Sequence, residues 1–267
     1  HRIMSEDKAQ DDVEPLKWEK RGGVAILTLN RPKAMNSFSL ESMLENRERL
    51  AEFEADDDLR VLIYAAEGKH FSAGIDIKKA PDYLHWNAET RDKYFATPHS
   101  WGCKKPSIAA INGYALGGGL ELALGCDIRI CADNAMLGLP ESKLGALPGG
   151  GGTQTLPRLI GMSNALLMMF TGEPVDAQEA LRLGLVQKVV PADDLLDETV
   201  KIAQAISENG QTAVRLIKEV AEMGLELPYQ EALWLEQVSF QRATSMAKDE
   251  IDERIKKFQD RSKKKKS

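Results

Sequence analysis

Two carboxylates in this sequence stand beside glycine-rich stretches, a setting that suits proton transfer. Glu121 closes the run Ala115-Leu116-Gly117-Gly118-Gly119-Leu120-Glu121, and Glu141 follows Pro140 and precedes Leu147-Pro148-Gly149-Gly150-Gly151-Gly152. A positioned carboxylate can work as a general base or a general acid. The triple glycine falls between an apolar strand and an apolar helix, so the helix begins with N–H groups that have no helical partner. They lie at the positive end of the helix dipole and suit an incoming anion or oxyanion. Glu121 falls in the first turn of that helix, where the same dipole is expected to favour its ionised form. A further glycine-bearing stretch, Phe71-Ser72-Ala73-Gly74-Ile75-Asp76, ends a strand region and offers Asp76 as a helix N-cap. Taken singly, each has a structural reading: a tight turn, close packing, or a helix-start carboxylate. The glycines match neither the dinucleotide-binding nor the phosphate-loop pattern.

Other candidates are weaker. His70, His85 and His99 have no carboxylate or cysteine at a telling spacing and read as surface or packing histidines. Ser107 sits in no Gly-x-Ser-x-Gly context. Cys103, Cys126 and Cys131 are an odd set at spacings foreign to zinc sites, so no metal site is expected and a reducing compartment is. Lys33 and the tail Lys263-Lys264-Lys265-Lys266 are, as isolated features, solvated surface charge.

The elements that must position these groups are legible from the hydrophobic pattern. A chain of 267 residues that is 43% hydrophobic can bury a full core. Residues 16–30 read as two strands joined at Arg21-Gly22-Gly23, the second buried, and Ser39 caps a helix running to about residue 53. Val61-Leu62-Ile63-Tyr64, Ser107-Ile108-Ala109-Ala110-Ile111 and Asp127-Ile128-Arg129-Ile130-Cys131 are further buried strands, the last two separated by a helix. Strands alternating with helices predict an α/β core. From about residue 194 the pattern becomes three or four amphipathic helices with breaks near Asn209-Gly210, Pro228 and Met246-Ala247. The expected division is a core over 14–193 and a helical region over 194–267. Between 76 and 102 lies an aromatic-rich stretch without a period, either a pocket lining or ordinary packing. A net charge of -6 argues against a nucleic-acid partner, and no apolar run predicts a membrane span or a signal peptide. Met4 is the expected native start, with His1-Arg2-Ile3 added in expression.

In combination these motifs resemble the crotonase, or enoyl-CoA hydratase and isomerase, superfamily. The matching runs occur in order: Asn30-Arg31-Pro32-Lys33-Ala34-Met35-Asn36, the stretch from Phe71 to Asp76, Lys105-Pro106-Ser107-Ile108-Ala109-Ala110-Ile111-Asn112-Gly113, and Gly117-Gly118-Gly119-Leu120-Glu121-Leu122-Ala123. Pro140-Glu141, Leu147-Pro148-Gly149-Gly150-Gly151-Gly152, Thr171-Gly172 and Gly184-Leu185-Val186 follow. The resemblance spans residues 16–258, although Lys256-Lys257-Phe258-Gln259-Asp260-Arg261 only roughly matches the family's closing pattern. It implies a spiral of repeated strand–strand–helix units with a C-terminal helical region that packs into homotrimers or hexamers. It implies an enoyl-CoA hydratase, a lyase of fatty acid metabolism and β-oxidation, adding water to 2-enoyl-CoA. The backbone N–H groups of Ile75 and Gly118 would form the oxyanion hole. Glu141 would serve chiefly proton transfer at Cα and Glu121 chiefly the water, held also by the N–H of Gly149. Lys33, Ala73, Asp76 and Lys78 fall at substrate-binding positions, the lysines near the coenzyme's phosphates. No cofactor beyond the substrate's own coenzyme A is implied, nor a nucleic acid or membrane partner. The location would be cytoplasmic, or the mitochondrial matrix for a processed form. An isomerase, dehydratase or lyase of the same superfamily is the alternative, and an RNA-binding relative a remoter one.

Overall fold

The structure, a computed structural model, describes residues 14–76 and 103–264. Strands β1 (Leu16–Arg21) and β2 (Val24–Leu29) form the expected antiparallel pair around the Gly22 turn. Helix α1 (Leu40–Ala55) is capped by Ser39, whose side chain accepts from the Ser42 N–H while the Ser42 hydroxyl accepts from the Ser39 N–H. Then follow β3 (Val61–Ala66), β4 (Ser107–Ile111), β5 (Tyr114–Leu116), α2 (Gly118–Leu124), β6 (Ile128–Ala132) and β7 (Met136–Gly138). Beyond them come α3 (Gly152–Ile160), α4 (Met162–Thr171), β8 (Val175–Asp176), α5 (Ala177–Leu183) and β9 (Lys188–Val190). The chain ends in α6 (Leu195–Ser207), α7 (Gln211–Gly224), α8 (Tyr229–Met246) and α9 (Lys248–Lys264), with breaks where the sequence places them.

The strands form two sheets, one ordered β1-β2-β3-β4-β6-β9 and one ordered β5-β7-β8. Successive passes of the chain lay one strand in each: β4 then β5, β6 then β7. The bridges Phe38↔Ile75 and Ser72↔Ala115 continue the smaller sheet's side through the earlier passes. That alternation is the strand–strand–helix spiral, and a continuous apolar run cannot reveal which of two sheets its strand will join.

Side-chain alternation divides the core between the two faces of the larger sheet. Ala25, Leu27, Leu62, Tyr64, Ala109 and Ile111 face one cluster, shared with Phe53 of α1 and Leu120 and Leu122 of α2. Val24, Ile26, Val61, Ile63, Ile108 and Ala110 face the other, closed by Leu195, Val200 and Ala203 of α6. The first C-terminal helix is thus built into the core, whereas α7 and α8 contribute little buried surface, with Leu225 between them and Tyr229, Trp234 and Phe240 of α8 exposed.

Candidate active site

The site is assembled by strand register. In the smaller sheet β5 pairs with β7 in parallel, Leu116 opposite Gly138, and the Gly117 N–H donates to the Gly138 carbonyl at 2.9 Å. The next residues of both strands therefore leave the sheet side by side, one into α2 and the other into Leu139-Pro140-Glu141. Gly117 makes its turn with φ 54 and ψ −128, a conformation that a side chain disfavours. A Cβ there would also stand 3.1 Å from Glu141 Oε1. The bare backbone of Gly117 is one wall of the Glu141 site.

Glu141 opens a short 3-10 turn, Glu141–Leu144, and its Oε2 is buried without a hydrogen-bond partner among the described residues. Burial pushes its carboxyl up to about 7, and the charge of Glu121 pushes in the same direction. The two carboxylates thus share one electrostatic environment.

Glu121 is 4% exposed on the first turn of α2. After the turn at Glu141 the chain folds back through the glycine run, and the N–H groups of Gly150 and Gly152 both donate to Glu121 Oε1, at 2.7 and 2.9 Å. Gly152 is the first residue of α3, so the carboxylate lies at the N-terminus of a second helix. Burial nevertheless dominates and raises the Glu121 pKa, the two glycine N–H groups opposing it. Sequence reasoning expected the dipole of α2 to favour the ionised form. The donors that do so belong to α3 and its preceding loop, and they only moderate a larger desolvation effect.

Beside this pair lie the N–H groups of Ile75 and Gly118. The 71–75 stretch runs along β5, with Phe71 N–H donating to Asn112 O, Ser72 N–H to Tyr114 O and Leu116 N–H to Ser72 O. It approaches α2 closely: a Cβ on Gly74, whose φ is 79, would be 2.6 Å from the Gly118 nitrogen. Neither the Ile75 nor the Gly118 N–H donates to a carbonyl among the described residues. Two backbone donors on adjoining turns, without a carbonyl partner among the described residues and beside one buried and one half-buried carboxylate, can polarise a carbonyl while protons move next to it.

The other residues that the sequence nominated fall less centrally. The Ala73 N–H is taken by Met35 O at 3.0 Å. Asp76 ends its described stretch half-buried, and Lys33 is exposed in a 3-10 turn, Pro32–Ala34. Lys78, His85 and His99 lie outside the described residues. Gly149 is exposed in the loop, and Glu121 is gripped by Gly150 and Gly152, not by Gly149. Sequence reasoning did not single out those two donors or Gly117 because each acts through backbone. The only available signal was the glycine runs themselves. His70 is a packing residue, stacked on Tyr114 at 4.6 Å with its Nδ1 accepting from the Tyr114 N–H.

The family model for enoyl-CoA hydratase/isomerase matches residues 19–266. The chain belongs to that family. Among similar members is a protein named probable enoyl-CoA hydratase from Mycobacterium bovis, 44% identical over 86% of this chain and 90% of that protein. A crotonyl-CoA hydratase of Syntrophomonas wolfei is 42% identical over 83% of this chain and 86% of its own. The crystal structure of enoyl-CoA hydratase from Bacillus anthracis superposes with a TM-score of 0.82 at 36% identity, covering 93% of this chain and 97% of that one. The two-sheet spiral with its C-terminal helices is thus the crotonase fold.

Proposed function

We infer that the protein is an enoyl-CoA hydratase, adding water reversibly across the double bond of a 2-enoyl-CoA thioester. One observation carries the reading: a buried and a half-buried glutamate in different hydrogen-bonding states lie beside two backbone N–H groups that meet no carbonyl among the described residues. The thioester oxygen accepts from the N–H groups of Ile75 and Gly118, which draws electrons from the double bond and makes Cβ electrophilic. Glu121, in its ionised form with Oε1 held by two N–H groups, takes a proton from water as the water oxygen bonds to Cβ. The electron pair passes to the thioester oxygen as an enolate. Glu141, whose pKa burial raises to about 7 so that its protonated form is populated near neutrality, gives its proton to Cα, and the enolate collapses to the 3-hydroxyacyl thioester. A proton passing from Glu121 to Glu141 resets the pair. Both partners approach from the side the glutamates occupy, so the addition is syn. No electron leaves or enters the substrate overall, so the chemistry calls for no redox cofactor.

In the same reading Lys33 and Lys78 serve the coenzyme's phosphates, Ala73 and Asp76 belong to the substrate-binding positions, and the Gly149 N–H adds to the hold on the water. The three buried free thiols, Cys103, Cys126 and Cys131, suit a reducing location such as cytoplasm or mitochondrial matrix. Apolar residues exposed on α7 and α8 favour assembly as a homotrimer or hexamer.

The test is turnover of crotonyl-CoA, read as loss of the conjugated thioester's absorbance. Hydration by the native protein is expected. Inactivity on crotonyl-CoA and on longer 2-enoyl thioesters would exclude this reading and leave isomerase or lyase chemistry of the same enolate to be tried.

A further inference from the structure

Which way the Ile75 N–H points is decided by a small polar network that no catalytic role yet accounts for. A trans peptide unit carries its C=O and the following N–H on opposite sides. The carbonyl of the Gly74–Ile75 peptide accepts from the Phe38 N–H at 2.7 Å, so its N–H is turned away from Phe38. The other flank of Gly74 is fixed by a side chain: Ser72 Oγ accepts from the Gly74 N–H at 3.0 Å. The same hydroxyl donates to the backbone carbonyl of Asn36 at 2.9 Å. Ser72 is fully buried, and both bonds are shielded from solvent.

Asn36 is fixed in turn. It sits at φ 51, its Oδ1 accepts from the Arg31 N–H at 2.8 Å, and its Nδ2 donates to the carbonyls of Glu67 and His70 at 2.9 and 2.7 Å. The turn that carries Phe38 and the strand end that carries Gly74 are therefore joined by the Phe38–Gly74 bond, by the Ala73 N–H on Met35 O and by the Ser72 hydroxyl, and of these only the hydroxyl also holds the Gly74 N–H.

We propose that Ser72 is a positioning residue for hydration: its hydroxyl, anchored on Asn36, holds the Gly74–Ile75 peptide so that the Ile75 N–H meets the thioester oxygen beside that of Gly118. It does so without touching the substrate. The proposal rests on the hydratase reading. Loss of the hydroxyl, as in Ser72→Ala, leaves the Gly74 N–H and the Asn36 carbonyl buried without their partner, and the peptide gains freedom to tilt. An oxyanion donor displaced in this way loses a share of its effect, which for complete removal of such a donor is about 10²–10³ in kcat. The thioester carbonyl is held more weakly in the transition state, while binding of the coenzyme portion is untouched. The loss therefore falls on kcat rather than on KM.

The experiment compares the native protein with Ser72→Ala and Ser72→Cys, by kcat and KM on crotonyl-CoA and by the absorption shift of bound 4-dimethylaminocinnamoyl-CoA. The shift of that conjugated chromophore reports polarisation of its carbonyl. The native protein is expected to shift the bound probe to longer wavelength. Ser72→Ala should bind it with a Kd within about threefold, lose most of the shift and lose about tenfold or more in kcat. Ser72→Cys, which retains a weak donor and acceptor, should fall between them. It carries the test if the alanine variant does not fold. Full shift and full kcat in a folded variant lacking the hydroxyl would overturn the proposal while leaving the hydratase reading intact. A native protein that neither hydrates crotonyl-CoA nor shifts the probe would overturn both.

Discussion

Burial of Glu141 has a consequence for stability that can be separated from catalysis. Its folded-state pKa is about 7, above the ordinary value of 4.5, because the low-dielectric site and the Glu121 charge disfavour its ionised form. A carboxyl raised in this way contributes fully below its unfolded pKa, and the contribution disappears as pH rises through the folded one. At pH 8 the native protein therefore bears a penalty on the order of 2–3 kcal/mol that Glu141→Gln, a neutral isostere, does not. Urea unfolding should show the variant more stable at pH 8 and nearly level with the native protein near pH 4. Equal midpoints at pH 8 would mean that the carboxyl is better solvated than its buried Oε2 implies. The two glutamates were legible as candidates from their neighbours in sequence. A division of labour between them came only from the family resemblance, because the residues alone do not say which oxygen meets Gly150 and Gly152 and which has no partner among the described residues.

Helix α2 carries both Gly118 and Glu121, and its far end is secured by a buried cation. Arg129 of β6 is 3% exposed and donates from Nη1 to the carbonyls of Cys126 and Ala123 at 2.7 and 3.4 Å, and from Nε to Leu185 O at 2.7 Å. The guanidinium satisfies carbonyls at the end of α2 and ties that end to the segment before β9. Arg129→Met leaves the Cys126 and Leu185 carbonyls without their donor, while Ala123 O keeps the Cys126 N–H, and should destabilise the protein by about 3 kcal/mol, read as a lower urea midpoint. An unchanged midpoint would contradict this account of how α2 is held. At this scale the sequence was most readable. The Ser39 cap and the breaks at Gly210, Pro228 and Ala247 are local signals, and the helices begin and end on them. The support of α2 by Arg129 was hidden because a charged residue in the middle of a strand pattern carries no mark of the carbonyls it will meet.

For the molecule as a whole, buried strands alternating with helices foretold an α/β core, and successive side chains of the larger sheet divide between its two faces. How the chain winds between two sheets came only from the family resemblance. Buried strands are apolar on both faces and carry no sign of their partner. The exposed side chains Leu225, Tyr229, Trp234 and Phe240, at 86%, 74%, 69% and 66%, leave α7 and α8 with an apolar surface that a second copy can cover. Light scattering should return three or six times the 29.5 kDa chain mass, and Trp234→Glu should shift the protein toward smaller species. A native protein that stays at one chain mass at micromolar concentration would contradict assembly through these helices.

The central claim is that Glu121 and Glu141 act together on a 2-enoyl thioester, and the most direct test replaces each by its neutral isostere. Crotonyl-CoA hydration should proceed in the native protein and fall by about 10² or more in both Glu121→Gln and Glu141→Gln, with the thermal midpoints of the variants showing that they remain folded. A folded variant of either kind that hydrates at the native rate would contradict the paired-carboxylate mechanism.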